Sequence, residues 1–264
     1  MLSIYRFFFL KKSMYKISKY IFRLSLRGIG VLNFENNKVS GEYFFLKKVF
    51  RNHFNDDIVV FDVGAFIGEY ATMIKQFNKN ADVYAFEPSP GNYSRLIETG
   101  EKEKFYAVNA ACGESAGMVK FYDYENEVGS QHASLYRDAI EKVHKGGVSE
   151  YEVNMITLDE FVKGKNIRKI FLLKIDTEGN EMKVLTGARN IISNGLVDII
   201  HFEFNEMNVL SRTFFKDFYD LLSSDFNLYR LLPYGFVSLD DYEIFFCEIF
   251  AYQNIVAMRK GMKI

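Results

Sequence analysis

Short apolar runs alternate with longer amphipathic stretches from about residue 56 onward, and this alternation constrains the chain more than any other feature. Ile58 to Asp62 (IVVFD) and Ile170 to Ile175 (IFLLKI) place apolar residues at successive positions, so both faces of each run need cover. Runs this short, rich in β-branched and aromatic residues, read as strands buried on both sides. Asp82 to Phe86, Phe105 to Ala111 and Val197 to Phe204 read the same way. Tyr70 to Phe77, Asn92 to Thr99 and Glu181 to Ile192 lie between them and carry helical spacing. Strand-helix alternation implies an α/β class: a mostly parallel sheet with helices on both faces. Local signals sharpen several boundaries. Pro88 disfavours a helical Glu87, so the second strand ends there. Thr157 and Glu160 have the spacing of a capping box.

The remaining stretches are less regular. Val119 to Tyr124 reads as an added strand, residues 125–147 as a long polar loop around a short helix at Leu135 to Val143, and Tyr151 to Thr157 as an edge strand. Long irregular insertions in a compact domain often form lids or binding loops. A helix over Phe214 to Leu222 and strands near Asn227 to Leu231 and Ile249 to Met258 close the pattern, the aromatics from Phe245 to Tyr252 being read as sheet core.

A length of 264 residues suits one large domain with a modest extension, divided here into an N-terminal extension, 1–50, and a domain, 51–264. The extension is basic: Arg6, Lys11, Lys12, Lys16, Lys19, Arg23 and Arg27 precede the first acid, Glu35. Its apolar run, Phe7 to Leu10, is too short to span a bilayer, and no small-residue cleavage site follows it. These features predict a helical cap packed on the domain, a cytoplasmic chain, and peripheral contact with the inner membrane face as a second use of the segment. A net charge of −1 gives no support for nucleic acid as a partner. Cys112 and Cys247 lie far apart in no metal-ligand spacing and suit a reducing compartment.

Ligands of such sheets bind beyond the carboxyl ends of the strands, where strand order reverses. That rule directs attention to Asp62–Gly68, Glu87, Asn109–Gly113, Asp176–Gly179 and Glu203–Glu206. Gly64 and Gly68 bracket the turn into the first helix, where a ligand can approach the backbone and the helix start favours negative charge. Glu87 closes the second strand and can accept hydrogen bonds from both hydroxyls of an adenosine ribose. The pair indicates a nucleoside cofactor. The Gly-x-x-x-Gly spacing favours S-adenosylmethionine over a nicotinamide dinucleotide.

Five segments then line up in order: Phe61–Gly68, Ala85–Pro88, Asn109–Gly113, Ile156–Asp159 and Leu173–Glu181, the last reading LKIDTEGNE. Together they resemble the motif series of the FkbM-type methyltransferases over residues 40–205. The resemblance implies a class I, Rossmann-like methyltransferase fold in residues 51–264, S-adenosylmethionine as cofactor, and methylation of a hydroxyl on a small-molecule or glycan acceptor. By the same resemblance Asp62, Gly64 and Gly68 border the cofactor's methionine part, Glu87 holds the ribose, and Glu42 lies near the ammonium group. Phe66 departs from the family, which usually has Asn at that position. Asp176 becomes the candidate base for the acceptor hydroxyl, with Glu178 orienting substrate and His132, on the long loop, a second candidate for the proton.

Other readings are bland or rival. Glu178 and Glu181 can cap the helix that follows them. His201 reads as a satisfied core histidine, and Lys174 as a buried partner for an acid. Asp176, Glu203 and Asn205 form an oxygen set that a divalent metal could use, although a metal is not the favoured expectation. The alternatives for the whole chain are an NAD-dependent oxidoreductase and a non-catalytic interaction protein that keeps the cofactor fold.

Overall fold

The computed structural model describes residues 2–125, 129–131, 133–143 and 145–262. Two N-terminal helices, α1 (Leu2–Phe9) and α2 (Tyr15–Gly28), precede α3 (Glu42–Val49). The alternating region then runs β1 (Val59–Val63), α4 (Glu69–Phe77), β2 (Asp82–Phe86), α5 (Pro90–Glu103) and β3 (Tyr106–Val108). An insertion follows with β4 (Ala111–Cys112), β5 (Gly117–Tyr124) and β6 (Val148–Ile156). The chain returns through α6 (Leu158–Lys165), β7 (Ile170–Ile175), α7 (Glu181–Thr186), α8 (Arg189–Ser193), β8 (Val197–Phe204), α9 (Met207–Ser211) and α10 (Phe215–Leu222). Strands β9 (Phe226–Leu232) and β10 (Gly235–Ser238), helix α11 (Ile244–Cys247) and β11 (Gln253–Arg259) end it.

Eight strands form the main sheet in the order β10-β9-β11-β8-β7-β1-β2-β3. Strands β3, β2, β1, β7 and β8 pair in parallel, and β11 enters antiparallel between β8 and β9. The order reverses between β1 and β7, so the ends of these two strands diverge into a crevice. Each face of the sheet carries its own core. Phe61, Val63, Leu173, Ile175 and Phe202 pack with residues of α6, α7, α8 and α10 on one face; Val60, Val83 and Ile199 pack with α3, α4 and α5 on the other. Phe45, Leu46, Val49 and Phe50, grouped with the extension by sequence, belong to this second core.

The structure changes several expected boundaries for identifiable reasons. The strand expected over Phe105 to Ala111 breaks, so that β3 stays in the main sheet while β4 joins β6 and β5 in a small second sheet. Val148–Ile156 is therefore the centre of that sheet and not an edge. The helix expected over Glu181 to Ile192 divides at Gly187, whose bare Cα lets the Gly113 carbonyl come so close that a Cβ would lie 1.9 Å from it. The last strand starts at Gln253, and the aromatics before it divide: Phe250 packs against the core, whereas Phe246 is exposed and Phe245 is 91% exposed. Thr157 caps α6 as expected, its Oγ1 accepting from Glu160 N at 3.2 Å.

The extension also differs from the packed cap that its sequence suggested. Leu26 is the buried residue of α2, and the helix's other apolar residues and its basic residues are exposed. Among the described residues no helix is long and apolar enough to cross a membrane. Both cysteines are buried free thiols.

Candidate active site

A cavity of about 730 Å³ opens at the crevice between β1 and β7. Its wall collects the ends of β1 (Asp62–Phe66), β2 (Glu87, Pro88), β7 (Asp176–Glu178) and β8 (Glu203, Asn205), together with β4 and the chain around Asn36 to Glu42. Described residues of the long loop, Ser130, Gln131, Ala133 and Leu135, close another side. That loop is pinned by buried Asp123, whose Oδ2 accepts from Gly129 N at 2.7 Å and Ser130 N at 3.2 Å, and by Ser134 Oγ donating to Glu178 O at 3.0 Å. His132 lies outside the described residues.

The turn after β1 owes its shape to close packing. Gly64 has φ +82, and a Cβ there would lie 1.7 Å from the Asp176 carbonyl oxygen, so glycine lets the ends of β1 and β7 meet. Gly68, at φ +88, caps α4 and turns toward Phe105 and Leu96; it is not part of the cavity wall. Phe66 adopts φ 52, a left-handed conformation that is costly for a bulky residue and that Asn tolerates better. Its contribution comes from the main chain: Phe66 N donates to Glu87 Oε2 at 3.0 Å. Replacing Asn by Phe therefore puts strain on the turn but leaves this contact intact, and the Phe66 ring lies under the Arg95 guanidinium.

Glu87 is 5% exposed and its other oxygen accepts from Ser89 N at 2.8 Å. Burial pushes its carboxyl up to about 7, against the pull of the Ser89 and Phe66 amides. The Asn92 side chain also bonds this carboxylate, so of roughly four acceptor sites on its two oxygens one is left for a further donor. Asp62, 2% exposed, has Oδ2 buried without a hydrogen-bond partner. Burial raises it to about 7 as well, while Lys174 opposes that shift.

At the opposite end, Lys174 is buried at the centre of three carboxylates. Its Nζ lies 3.5 Å from Asp176 Oδ2, 3.6 Å from Glu42 Oε1 and 3.9 Å from Glu203 Oε1. Desolvation would discharge this ammonium, but the surrounding acids outweigh it and hold the Lys174 pKa above its ordinary value. One cation cannot balance Asp62, Asp176, Glu42 and Glu203 together. Burial, followed by the Asp176 charge, drives Glu203 well above the usual carboxylate range. Glu42 is further held by Ser40 Oγ, which donates to its Oε2 at 3.1 Å.

The oxygen set considered for a metal is arranged otherwise. Asp176 and Glu203 face the Lys174 ammonium, and Asn205 Oδ1 accepts from Met207 N at 2.8 Å as the start of α9. Among the described residues no group of three or more His, Cys, Asp or Glu is placed to hold a metal ion.

Supporting residues behave as structure. Glu181 Oε1 accepts from Thr177 N, Thr177 Oγ1 and Gly179 N at 2.9–3.1 Å, which shapes the loop that presents Asp176 and Glu178. Glu178 itself lines the cavity with φ 53. His201 is a fully buried core histidine. Desolvation, then the Lys174 charge, holds its pKa well below the ordinary value, so it is neutral. In the tautomer consistent with its neighbours, Tyr70 OH donates to Nδ1 at 2.9 Å, Nε2 donates to Asn254 Oδ1 at 2.8 Å, and Asn254 Nδ2 donates to Tyr252 OH at 3.0 Å. Sequence reasoning missed Tyr70, Asn92, Asn180 and Tyr252, all of which reach the cavity wall. Only Asn180, inside the LKIDTEGNE segment, carried a local signal; the others arrive by sheet pairing and helix packing.

A crevice at the β1/β7 switch point, an acid closing β2 and an antiparallel strand inserted beside β8 define a class I, Rossmann-like methyltransferase fold. The chain belongs to the FkbM methyltransferase family: the Methyltransferase FkbM domain matches residues 62–231. Hexuronic acid methyltransferase AglP of Haloferax volcanii is 28% identical over 141 residues, which make up 53% of each chain. 31-O-demethyl-FK506 methyltransferase FkbM of Streptomyces tacrolimicus is 27% identical over 165 residues, 50% of this chain and 60% of the relative. The matches thus span between half and three fifths of those two relatives. Among solved structures, an rRNA methylase from Streptococcus thermophilus aligns over 85% of this chain and 98% of its own, with 11% identity and a TM-score of 0.45.

Proposed function

We propose that this methyltransferase transfers a methyl group from S-adenosylmethionine to a hydroxyl oxygen of a sugar or glycoconjugate precursor. The observation that carries the reading is the division of one cavity into two polar ends, Glu87 at the end of β2 and the Asp176–Lys174–Glu203 group at the ends of β7 and β8, joined by the turn after β1. The cofactor fits the residues present. Glu87 has spare acceptor capacity for a ribose hydroxyl, and the unpartnered Asp62 Oδ2, with Glu42 beyond it, offers acceptors to an ammonium group. A cavity of this size with charged walls suits small polar ligands. The name of the Haloferax volcanii relative supports an acidic sugar as acceptor class.

When bound, the cofactor supplies an electrophilic methyl group on a sulfonium. The chain's own residues do the rest. Asp176 would accept the acceptor's hydroxyl proton, the methyl group's bond to the sulfonium breaking as its bond to oxygen forms and the thioether leaving. Lys174 balances the charge around Asp176 and stays protonated, so it orients and does not take the proton. Glu178 and the Ser130–Leu135 loop position the acceptor, and much of the acceleration comes from holding the two ligands in line.

Calorimetry with S-adenosylhomocysteine and with NAD, followed by methyl-transfer assays across sugar nucleotides and glycolipid precursors, tests the reading. Binding of NAD without S-adenosylhomocysteine would overturn it, as would a product methylated at nitrogen or carbon. Asp176→Asn should lower kcat by roughly 10²- to 10⁴-fold while S-adenosylhomocysteine still binds.

A further inference from the structure

The N-terminal helices have no role in the cavity, yet α2 is patterned on two sides. Ile17, Ile21 and Leu24 recur at helical spacing along one stripe, and Lys16, Lys19, Arg23 and Arg27 recur along a second one, roughly a third of the way round the helix from the first. All seven are exposed, the three apolar residues by about half of their surface. Tyr20 is exposed at the edge of the apolar stripe, and Phe22 is exposed elsewhere on the helix. Among the described residues none covers this apolar face. Its charge is equally one-sided, since the first 34 residues hold seven basic side chains and no acid. Arg27 pairs with Glu35 at the domain edge, and the other six lie beyond it.

We propose that α2 lies on an anionic lipid bilayer, with Ile17, Ile21 and Leu24 in the acyl boundary and the basic side chains reaching to the headgroups. The chemistry selects this occupant. A second copy would bring one uniformly basic helix against another. A nucleic acid would satisfy the charge but leave the apolar stripe wet. An anionic bilayer satisfies both, and long Lys and Arg side chains on the flank of an interfacial helix reach the headgroup level.

The segment that follows the helix is tied to the cavity wall. Leu32 N donates to Tyr252 O at 2.8 Å, Arg230 Nη1 donates to Ile29 O at 3.4 Å, and the Phe34 ring stands edge-on to Tyr252 on the cavity wall. A bilayer-bound α2 therefore keeps the cavity close to the lipid surface, where an acceptor carried on a lipid would be presented.

Co-sedimentation of the full chain with vesicles tests this. The chain should pellet with phosphatidylglycerol–phosphatidylcholine vesicles, pellet poorly with phosphatidylcholine alone, and be released as salt rises from about 0.1 M to about 1 M and screening shortens from about 10 Å to about 3 Å. Lys16→Glu/Lys19→Glu/Arg23→Glu should weaken vesicle binding at least a hundredfold, at about fivefold for each lost charge. Ile17→Ser/Ile21→Ser/Leu24→Ser should weaken it at least tenfold. Both variants should keep the unaltered melting temperature, because every altered side chain is exposed. Three results would overturn the proposal: a chain that stays in the supernatant with anionic vesicles; an apolar triple variant that binds vesicles like the unaltered chain while both bind RNA equally; or a dimer in sedimentation velocity that the apolar substitutions abolish.

Discussion

Glu87 and Asp62 make the proposed cofactor site sensitive to pH in a way that can be worked through. Burial places both carboxyls at about 7. The proposed ribose and ammonium contacts both need the ionised form, which accepts hydrogen bonds and carries the charge. A group titrating at 7 is roughly one tenth ionised at pH 6 and nine tenths at pH 8, a tenfold change worth about 1.4 kcal/mol. Two such groups give about a hundredfold gain in S-adenosylhomocysteine affinity over that interval. Glu87→Gln removes one of them, leaving about a tenfold gain. It also turns an amide N–H toward one of the donors that Glu87 now receives, Phe66 N or Ser89 N. Affinity at pH 8 should therefore fall by more than tenfold, the loss of one charge-assisted bond of about 1.5–3 kcal/mol. Titration calorimetry at pH 6, 7 and 8 on both proteins reads all of these quantities. A flat affinity for the unaltered chain, or a Glu87→Gln variant that binds equally well at pH 8, would refute the ribose assignment.

Gly64→Ala should cost roughly 2–5 kcal/mol in urea unfolding, from left-handed strain and from a Cβ driven into the Asp176 carbonyl; a variant of unchanged stability would mean the turn relaxes freely. Lys174→Met should destabilise the fold by about 3–5 kcal/mol, because buried carboxylates lose their one close ammonium; a loss below about 1 kcal/mol would show the acids are already neutral. The free protein should lose stability as pH rises from 5 to 8. Asp62, Glu87 and Glu181 are each raised to about 7 in the folded chain, so their contribution is complete below the unfolded pKa and lost as pH climbs through 7. Glu181→Gln should flatten this dependence, and a urea midpoint that increases over the interval would contradict it.

Much of the fold was legible because its signals are local. Ile170–Ile175 is buried along its whole length, as six consecutive apolar-flanked positions in a central parallel strand require. Asp62, Glu87 and Asp176 could be placed at one crevice because each closes a strand, and parallel strands end on the same side. Gly64 is legible as a turn glycine, but the packing reason for it is not available locally: it accommodates the Asp176 carbonyl, which arrives from a strand more than a hundred residues later. Gly68 matched the same pattern and faces Phe105 instead.

What the sequence alone determined is the alternating architecture, the polar strand ends and the basic character of the N-terminus, since periodicity and residue type are properties of neighbours in the chain. Tertiary structure decided which distant residues share the site. It brings Glu42 from α3, Glu203 from β8 and Tyr252 from the approach to β11 around Lys174 and Asp176, and turns Asn205 Oδ1 to the start of α9. It also leaves α2 exposed, with both of its stripes in solvent, although the same stripe pattern would have suited a packed cap. The physical reason is common to all of these. Strand order and helix docking are fixed by the competition among many apolar surfaces for the same core, and no short window of sequence records how that competition ends.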